Sequence, residues 1–231
     1  ITEAAKNYPE QQFALIDAVC EGEQPENVTS LLFEDNASAY LTGLIAGRMT
    51  ETNKVGFIGG MESPVISKFD YGFRAGVKAA NPDAEVMVQY ANSFTDSALG
   101  KTIANQMHSK NADIIFTCAG AVGIGAIEAA KENGKKAIGV DQDQNSLAPE
   151  NVITSAMKNI DVSVEEMLSK VVDGSYKGGE IIVNTLAMNG VGIPQSSEKN
   201  VPPDVLTYVK EEAEKVKSGE VKVPATKEEF E

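Results

Sequence analysis

The stretch that decides the fold is "ADIIFTCAGAVGIGAIEAAKENGKKAIGVDQDQ", residues 112–144. It holds an apolar run (113–120), a segment with helical spacing of its small and apolar residues (123–133), and a second apolar run (136–141). Nearly continuous apolar runs are typical of strands that are covered on both faces. A strand, a helix and another strand in this order predict a β-α-β unit of a parallel sheet.

The same alternation continues on both sides of this stretch. Toward the amino terminus, apolar runs precede helix-period segments at 13–19 and 36–51, 54–60 and 63–81, and 85–91 and 95–111. Toward the carboxyl terminus, we expect a strand (151–157), a helix ended by Gly174, a strand-like run (179–193) with a turn at Asn189-Gly190, a helix opened by prolines (202–220) and a polar tail. The pattern predicts an α/β protein with parallel sheets and helices on both faces.

The segments group into two lobes. We predict a partial amino-terminal lobe (1–52), a second α/β lobe (53–150), and crossover segments (151–231) that return to both lobes and end in a helix and tail. "ITEAAKNYPEQQ" opens inside a helical pattern with no Met, cap or signal peptide before it. We therefore expect the sequence to be a fragment of a longer protein, with the amino-terminal lobe incomplete.

Composition excludes several classes of function. A net charge of −14 argues against nucleic acid as a partner, because phosphate binding needs clustered Lys and Arg. No run of about 18 apolar residues is present, so no segment is expected to cross a membrane. Two cysteines, Cys20 and Cys118, lack metal spacing and are expected to be small buried side chains. The one histidine, His108, lies near the end of a helical pattern, where its charge would favour the negative helix terminus.

Ligands of open parallel sheets bind beyond the carboxyl ends of the strands, and this rule selects candidate residues without any motif. The residues that end or follow the predicted strands, and so should line one cleft, are Asp17, Met61, Phe94, Gly120, Asp141 and Lys158. Asp141 is the most specific of them, since an acid that directly ends an apolar strand is costly without partners. Asp143 is better interpreted as a turn residue and Asp96 as a helix N-cap.

This set of side chains suits a neutral polyol that carries a flat ring. A carboxylate accepts hydrogen bonds from two vicinal hydroxyls, a lysine donates to the same hydroxyls, and an aromatic face stacks on a heterocycle. The glycines of "AGAVGIGA" (119–126) do not match G-x-G-x-x-G, so a tight turn that a ligand can approach is favoured over a dinucleotide site. No G-x-S-x-G elbow, metal-ligand pair or activated nucleophile indicates an enzyme, and no cofactor or metal is expected.

"GFIGGM" (56–61), "SFTDSALGK" (93–101), "IGVDQDQ" (138–144) and "TSAMKN" (154–159) resemble the basic membrane protein family. The resemblance runs from the first helix to about residue 195. It implies a periplasmic-binding-protein-like fold of type I, with two doubly wound parallel-sheet lobes and a purine nucleoside held between them. Asp141 and Lys158 would hold the ribose hydroxyls, the turn at Gly120 would approach the ligand, Asp17 would face the base, and Phe94 would be a stacking candidate.

The resemblance also implies a place of action and partners. Family members are surface lipoproteins that deliver solutes to an ABC permease, which implies the cell surface or periplasm and a lipid anchor outside this segment. They usually carry several tens of residues before this start, including a segment that supplies an acid, an amide and an aromatic to the base. We therefore expect weaker nucleoside binding here than in the complete protein.

Two other classes of function stay open at this point. A ligand-sensing regulator of the same fold would carry a DNA-binding head before Ile1, whereas a lipobox cysteine there would indicate a transport protein. A nucleoside hydrolase with a metal held by an aspartate cluster would need a second acidic cluster beside Asp141 and Asp143, and the sequence offers none.

Overall fold

The computed structural model describes residues 1–231 as eight α-helices and nine strands. In chain order these are α1 (Thr2–Asn7), β1 (Phe13–Ile16), β2 (Val28–Phe33), α2 (Asp35–Met49), β3 (Lys54–Gly59), α3 (Pro64–Ala80), β4 (Glu85–Tyr90), α4 (Ser97–Ser109), β5 (Ile114–Cys118), α5 (Ala121–Glu132), β6 (Lys136–Asp141), β7 (Val152–Lys158), α6 (Ile160–Asp173), β8 (Ile181–Asn184), β9 (Val191–Gly192), α7 (Pro203–Lys217) and α8 (Lys227–Phe230). Short 3-10 helices lie at Asn145–Leu147 and Gln195–Lys199.

The chain forms two compact units. Unit 1 comprises Ile1–Glu34 and Asn159–Val191, and unit 2 comprises Asp35–Lys158 and Gly192–Glu231. The helix α2, which the sequence analysis placed in the first lobe, belongs to unit 2 because it packs along α3. No helix of the protein combines the length and the hydropathy that a bilayer crossing needs.

Unit 2 is built on a six-stranded sheet in the order β4-β3-β5-β6-β7-β9. The pairs β3–β4, β3–β5, β5–β6 and β6–β7 are parallel, which confirms the predicted α/β class. Successive side chains of a strand point to opposite faces. Accordingly Phe57 of β3 packs against Phe73 of α3 with ring centroids 6.4 Å apart, while its neighbour Ile58 packs into a cluster with residues of α4 and α5. Helices therefore cover both faces.

Glycines let the helices of unit 2 approach each other backbone to backbone. A Cβ on Gly76 of α3 would lie 2.1 Å from the carbonyl oxygen of Tyr40 in α2. A Cβ on Gly125 of α5 would lie 1.9 Å from the carbonyl oxygen of Ser97 in α4. Distances this short exclude any side chain, so Gly125 of the "AGAVGIGA" segment serves helix packing.

Unit 1 is smaller and more exposed. Its sheet has the order β1-β2-β8, with both strand pairs parallel, and its core holds Ala5, Cys20 and Val28. Helix α6 buries only Ser163, and Val172 on it is 88% exposed. Ile181 and Val183 of β8 are 51% and 47% exposed. Apolar surface of this kind is typical of a face that another element covers.

Several local predictions can be compared with the structure. Gly174 caps α6 in the left-handed conformation and Pro203 opens α7, as predicted. Both cysteines are buried, which confirms their interpretation as small core side chains. The turn predicted at Asn189-Gly190 within the run 179–193 is confirmed, and it separates β8 from β9. The polar tail ends in the short helix α8, and Phe230 of that helix packs on Tyr71 with ring centroids 5.7 Å apart.

Candidate functional site

The carboxyl edge of the unit 2 sheet brings together most of the predicted ligand residues. The strands β3, β5, β6 and β7 are neighbours and parallel, so their carboxyl ends lie along one edge. Five predicted residues end or follow strands of this sheet: Met61, Phe94, Gly120, Asp141 and Lys158. The sixth, Asp17, belongs to unit 1, where it follows the carboxyl end of β1 and is half-buried.

Asp141 is the last residue of β6, and its side chain is exposed. It is paired with Met157 in the register of β6 and β7, so Lys158 is the next residue along the neighbouring strand. Its backbone has a φ of 66°, a conformation that costs free energy for any residue with a Cβ. Asp17 shares this feature with a φ of 61°. Both acids therefore stand at strained strand ends, where functional side chains often occur.

Lys158 ends β7 with a buried ammonium group. The residue is 7% exposed, and its Nζ lies 3.2 Å from Oδ1 of Asp35, which is 0% exposed. The same Nζ lies 5.5 Å from the ring centroid of Phe69 in α3, within the range of a cation–π contact. A buried amine keeps its charge only beside a counterion, so Asp35 belongs to the site.

The sequence analysis missed Asp35 although a signal was present. "VTSLLFED" (28–35) is an apolar strand followed by acids, the same pattern that selected Asp17 and Asp141. The structure places Asp35 as the first residue of α2, where the positive end of the helix dipole favours a carboxylate.

Gly120 forms the turn between β5 and α5. Its φ is 57°, and a Cβ there would lie 2.8 Å from the carbonyl oxygen of Phe94. The same carbonyl accepts a hydrogen bond of 2.8 Å from the backbone N–H of Ala121. The ring of Phe94 fills the space beside Gly60, where a Cβ would lie 2.1 Å from the ring edge. Phe94 thus holds the turns after β3 and β5 together, while its side chain stays half-buried.

Met61 follows β3 and is 49% exposed, so it can contact a ligand at this edge without rearrangement. Behind it, the ring of Tyr90 covers Gly59. The hydroxyl of Tyr90 donates a 3.1 Å hydrogen bond to the buried carboxyl of Asp70, and burial raises the pKa of that carboxyl. This pair supports the turn from beneath.

Two further acids are structural, as predicted. The Oδ1 of Asp143 accepts a 3.0 Å hydrogen bond from the backbone N–H of Asn145 and so closes the turn after β6. The Oδ1 of Asp96 accepts a 2.9 Å hydrogen bond from the backbone N–H of Leu99 and caps α4.

The structure places His108 in the last turn of α4, near the helix end where it was predicted. The residue is 8% exposed, and its Nδ1 lies 2.9 Å from the carbonyl oxygen of Ala112, to which it donates in the neutral form. Burial lowers the pKa of the imidazole below 6.5, which weakens the interaction of a charged ring with the helix terminus. Nowhere do three or more His, Cys, Asp or Glu side chains cluster closely enough to hold a metal ion.

A partly open cavity lies elsewhere, in unit 1. It has a volume of about 200 Å³ and lies between α6, the loop after it, and the strands β2 and β8. Leu31, Met167, Lys170, Tyr176 and Ile182 are among its lining residues. The hydroxyl groups of Tyr176 and Thr29 lie 2.6 Å apart and share a hydrogen bond. The cavity reflects the loose packing of α6 on the sheet.

Comparison with known proteins identifies the family of this chain. Residues 1–227 match the family model described as the Bmp family, ABC transporter substrate-binding protein PnrA-like. The chain belongs to this family. The resemblance stated from "GFIGGM" and "IGVDQDQ" is thereby confirmed.

Two curated relatives show how much of a family member this chain represents. The CD4+ T-cell-stimulating antigen of Listeria monocytogenes serovar 1/2a (strain ATCC BAA-679 / EGD-e) is 40% identical over 240 residues, which cover 97% of this chain and 66% of the relative. The ABC transporter nucleoside-binding protein BmpA of Lactococcus lactis subsp. cremoris (strain MG1363) is 38% identical over 239 residues, which cover 96% of this chain and 67% of the relative. The chain thus spans about two thirds of their length.

A solved structure supports the fold assignment. ABC transporter solute-binding proteins from Aeropyrum pernix K1 superpose with a TM-score of 0.86 at 29% identity, covering 99% of this chain and 75% of that chain. The Bmp-family chain therefore has the α/β fold of type I periplasmic binding proteins, as predicted.

Proposed function

We propose that this chain is the ligand-binding part of an extracytoplasmic solute-binding protein that captures a purine nucleoside for an ABC importer. The observation that carries the proposal is that an exposed acid, Asp141, and a buried lysine, Lys158, stand at the carboxyl ends of adjacent parallel strands. Membership of a family of ABC transporter substrate-binding proteins and the nucleoside-binding name of the Lactococcus relative support it.

The chemistry of the two groups matches a ribose. The carboxylate of Asp141 can accept hydrogen bonds from both vicinal hydroxyls, and the amine of Lys158 can donate to the same oxygens. Gly120 carries no side chain, so a ligand can approach the backbone of its turn closely. Met61 and Phe94 offer apolar and aromatic surface for the base, and Asp17 is the proposed acid that faces it.

The test compares two acids that lie two residues apart. Inosine, guanosine, adenosine, hypoxanthine and ribose are titrated by calorimetry into the wild-type protein and into Asp141→Asn and Asp143→Asn. Hydrogen bonds to a charged group contribute about 1.5–3 kcal/mol each, so Asp141→Asn should weaken nucleoside binding by about tenfold to a thousandfold. Asp143→Asn keeps its turn acceptor and should bind like the wild type. Equal affinity of both variants for nucleosides would remove Asp141 from the site.

We also propose that unit 1 is part of a larger lobe and that the full-length protein is lipid-anchored outside this segment. The exposed apolar residues of α6 and β8 and the longer relatives support a larger lobe. A polypeptide with the relatives' full length should bind the nucleoside more tightly than residues 1–231 alone. Equal dissociation constants for the two would contradict this.

No chemical step on the ligand is proposed. A substrate-binding protein releases its ligand unchanged, so inosine incubated with the protein should yield no free hypoxanthine by chromatography. Release of the base at a rate above that of buffer would favour a hydrolase instead.

A further inference from the structure

The buried acid beside Lys158 has a geometry that suits control of the amine. Asp35 is 0% exposed, and its Oδ1 lies 3.2 Å from Nζ of Lys158, whose side chain is 4% exposed. Ion pairs on the surface of the protein differ from it in burial. In the pair of Lys101 and Glu132, for example, the two side chains are 32% and 53% exposed. Water screens such a surface pair, whereas the pair of Asp35 and Lys158 is shielded from solvent.

The two residues also occupy special places in the chain. Asp35 is the first and Lys158 the last residue of the longer of the two segments that form unit 2, so the ion pair joins the two ends of this segment. Asp35 begins the fifteen-residue helix α2, and Lys158 ends β7. A rigid helix terminus therefore holds the carboxylate in place beneath the strand end.

A buried ammonium group such as that of Lys158 needs a counterion nearby. Burial without a counterion drives a lysine toward its neutral form, and a neutral amine donates weaker hydrogen bonds and acquires a lone pair that competes for donors. A carboxylate 3.2 Å away reverses this preference. The ring of Phe69, 5.5 Å from Nζ, lies on another side of the amine and limits where it can move.

We propose that Asp35 is a positioning residue of the ligand site: it keeps the amine of Lys158 charged and directs its N–H groups to the ligand hydroxyls. The proposal rests on the proposed function, because it assumes that Lys158 contacts a hydroxyl-bearing ligand. Asp35 acts through Lys158 and touches no ligand itself.

The experiment compares five versions of the protein: wild type, Asp35→Asn, Asp35→Glu, Lys158→Met and the double variant Asp35→Asn/Lys158→Met. Inosine and 2′,3′-dideoxyinosine are titrated into each by calorimetry. We expect Asp35→Asn to weaken inosine binding about tenfold to a hundredfold, the range for one hydrogen bond to a charged group. The affinity for dideoxyinosine, which lacks both hydroxyls, should differ by less than about threefold between the wild type and Asp35→Asn, because the hydrogen bonds in question are absent. Asp35→Glu should recover most of the inosine affinity.

Two readouts separate positioning from a general structural role. The double variant should bind inosine no more weakly than Lys158→Met alone, because Asp35 acts only through the lysine. In protein with 13C-labelled lysine, the Cε resonance of Lys158 without ligand should titrate at lower pH in Asp35→Asn than in the wild type. The proposal would be overturned if Asp35→Asn weakened the binding of inosine and dideoxyinosine equally. It would also be overturned if the losses of the two single variants added up in the double variant, or if the Cε resonance of Lys158 titrated at the same pH in Asp35→Asn and in the wild type.

The outcomes also distinguish this inference from the proposed function. If the wild type binds no nucleoside, the proposed function fails, while the Cε titration still tests the link between Asp35 and Lys158. If the wild type binds inosine and Asp35→Asn binds it equally well, only the positioning role fails. Should Asp35→Asn not fold, Asp35→Glu carries the comparison: its amine should stay charged, and its inosine affinity should fall by less than that of Lys158→Met.

Discussion

At the scale of single residues, Asp17 and Asp141 share an unusual backbone. Besides glycines, six residues have positive φ, and the other four are Asn53, Asn92, Asn111 and Asn189. Asparagine at such positions is a common turn residue, whereas an aspartate at the end of a strand makes no turn that asparagine could not make. The conformation therefore supports the choice of these two acids as ligand residues.

The backbone cost at Asp141 can be measured separately from the carboxylate. Asp141→Gly and Asp141→Ala both remove the acid, but only alanine retains a Cβ at a φ of 66°. We expect the glycine variant to be more stable than the alanine variant by about 1 kcal/mol in urea unfolding. Neither should bind nucleoside. An alanine variant as stable as the glycine variant would show that this turn relaxes without cost.

His108 makes the stability of the protein depend on pH. Burial lowers its pKa below 6.5 in the folded state, so below pH 6.5 the unfolded chain takes up a proton that the folded protein resists. The free energy of unfolding should therefore fall as the pH drops from 6.5 toward the folded-state pKa.

The contribution of His108 to the pH dependence of stability can be measured by substituting it, because the protein has one histidine. Urea unfolding of wild type and His108→Gln is compared at pH 7.5, 6.0 and 5.0. The wild type should lose more stability than His108→Gln over this range, while the carboxylates contribute equally to both. Identical pH profiles would show that the imidazole is not resisting protonation.

At the scale of elements, the strands and helices of unit 2 follow from the sequence because local chemistry determines each of them. Continuous apolar runs define β3, β5, β6 and β7, and the side chain of Asp96 marks the start of α4. The docking of the polar tail could not be predicted in this way. It depends on contacts with distant residues, such as the 2.8 Å hydrogen bond from Asn36 Nδ2 to the carbonyl oxygen of Val223.

The close contact between α2 and α3 predicts that one added methyl group at Gly76 lowers the stability of the protein. In Gly76→Ala the new Cβ would lie about 2.1 Å from the carbonyl oxygen of Tyr40, so the two helices must move apart. Overpacking of this kind costs about 1–3 kcal/mol. Gly192→Ala is the control, because its Cβ meets nothing within 4 Å. The measurement is urea unfolding of both variants. Equal midpoints would mean that the helix pair adapts freely.

At the scale of the whole molecule, the carboxyl-terminal segment is tied to unit 2 by its last helix. Phe230 lies 4.3 Å from the guanidinium of Arg74, measured to the ring centroid, and packs on Tyr71. Phe230→Ala should leave global stability within about 1 kcal/mol but speed amide exchange over residues 222–231.

The control for this prediction is Val172→Ala, since Val172 is 88% exposed and packs on little. It should change neither stability nor exchange. Protection of residues 222–231 that survives in Phe230→Ala would mean that the hydrogen bond from Asn36 holds the segment by itself.

The candidate site shows what a sequence can and cannot predict. Asp141, Gly120 and Lys158 could be located because strand ends of a parallel sheet converge, which needs only the order of the elements. Asp35 could not be paired with Lys158 in advance, because that contact joins residues at the two ends of a long segment through the packing of α2 against β7. Convergence is a rule of topology, whereas ion pairing is a result of packing.

The state of the two thiols has a practical consequence for following ligand capture. Cys20 and Cys118 are only 7% and 3% exposed, so maleimide reagents reach them slowly. A cysteine introduced on the surface would therefore be labelled first, and the native thiols need not be removed. A fluorophore attached beside Met61 would then report solute capture in real time, one molecule at a time if required.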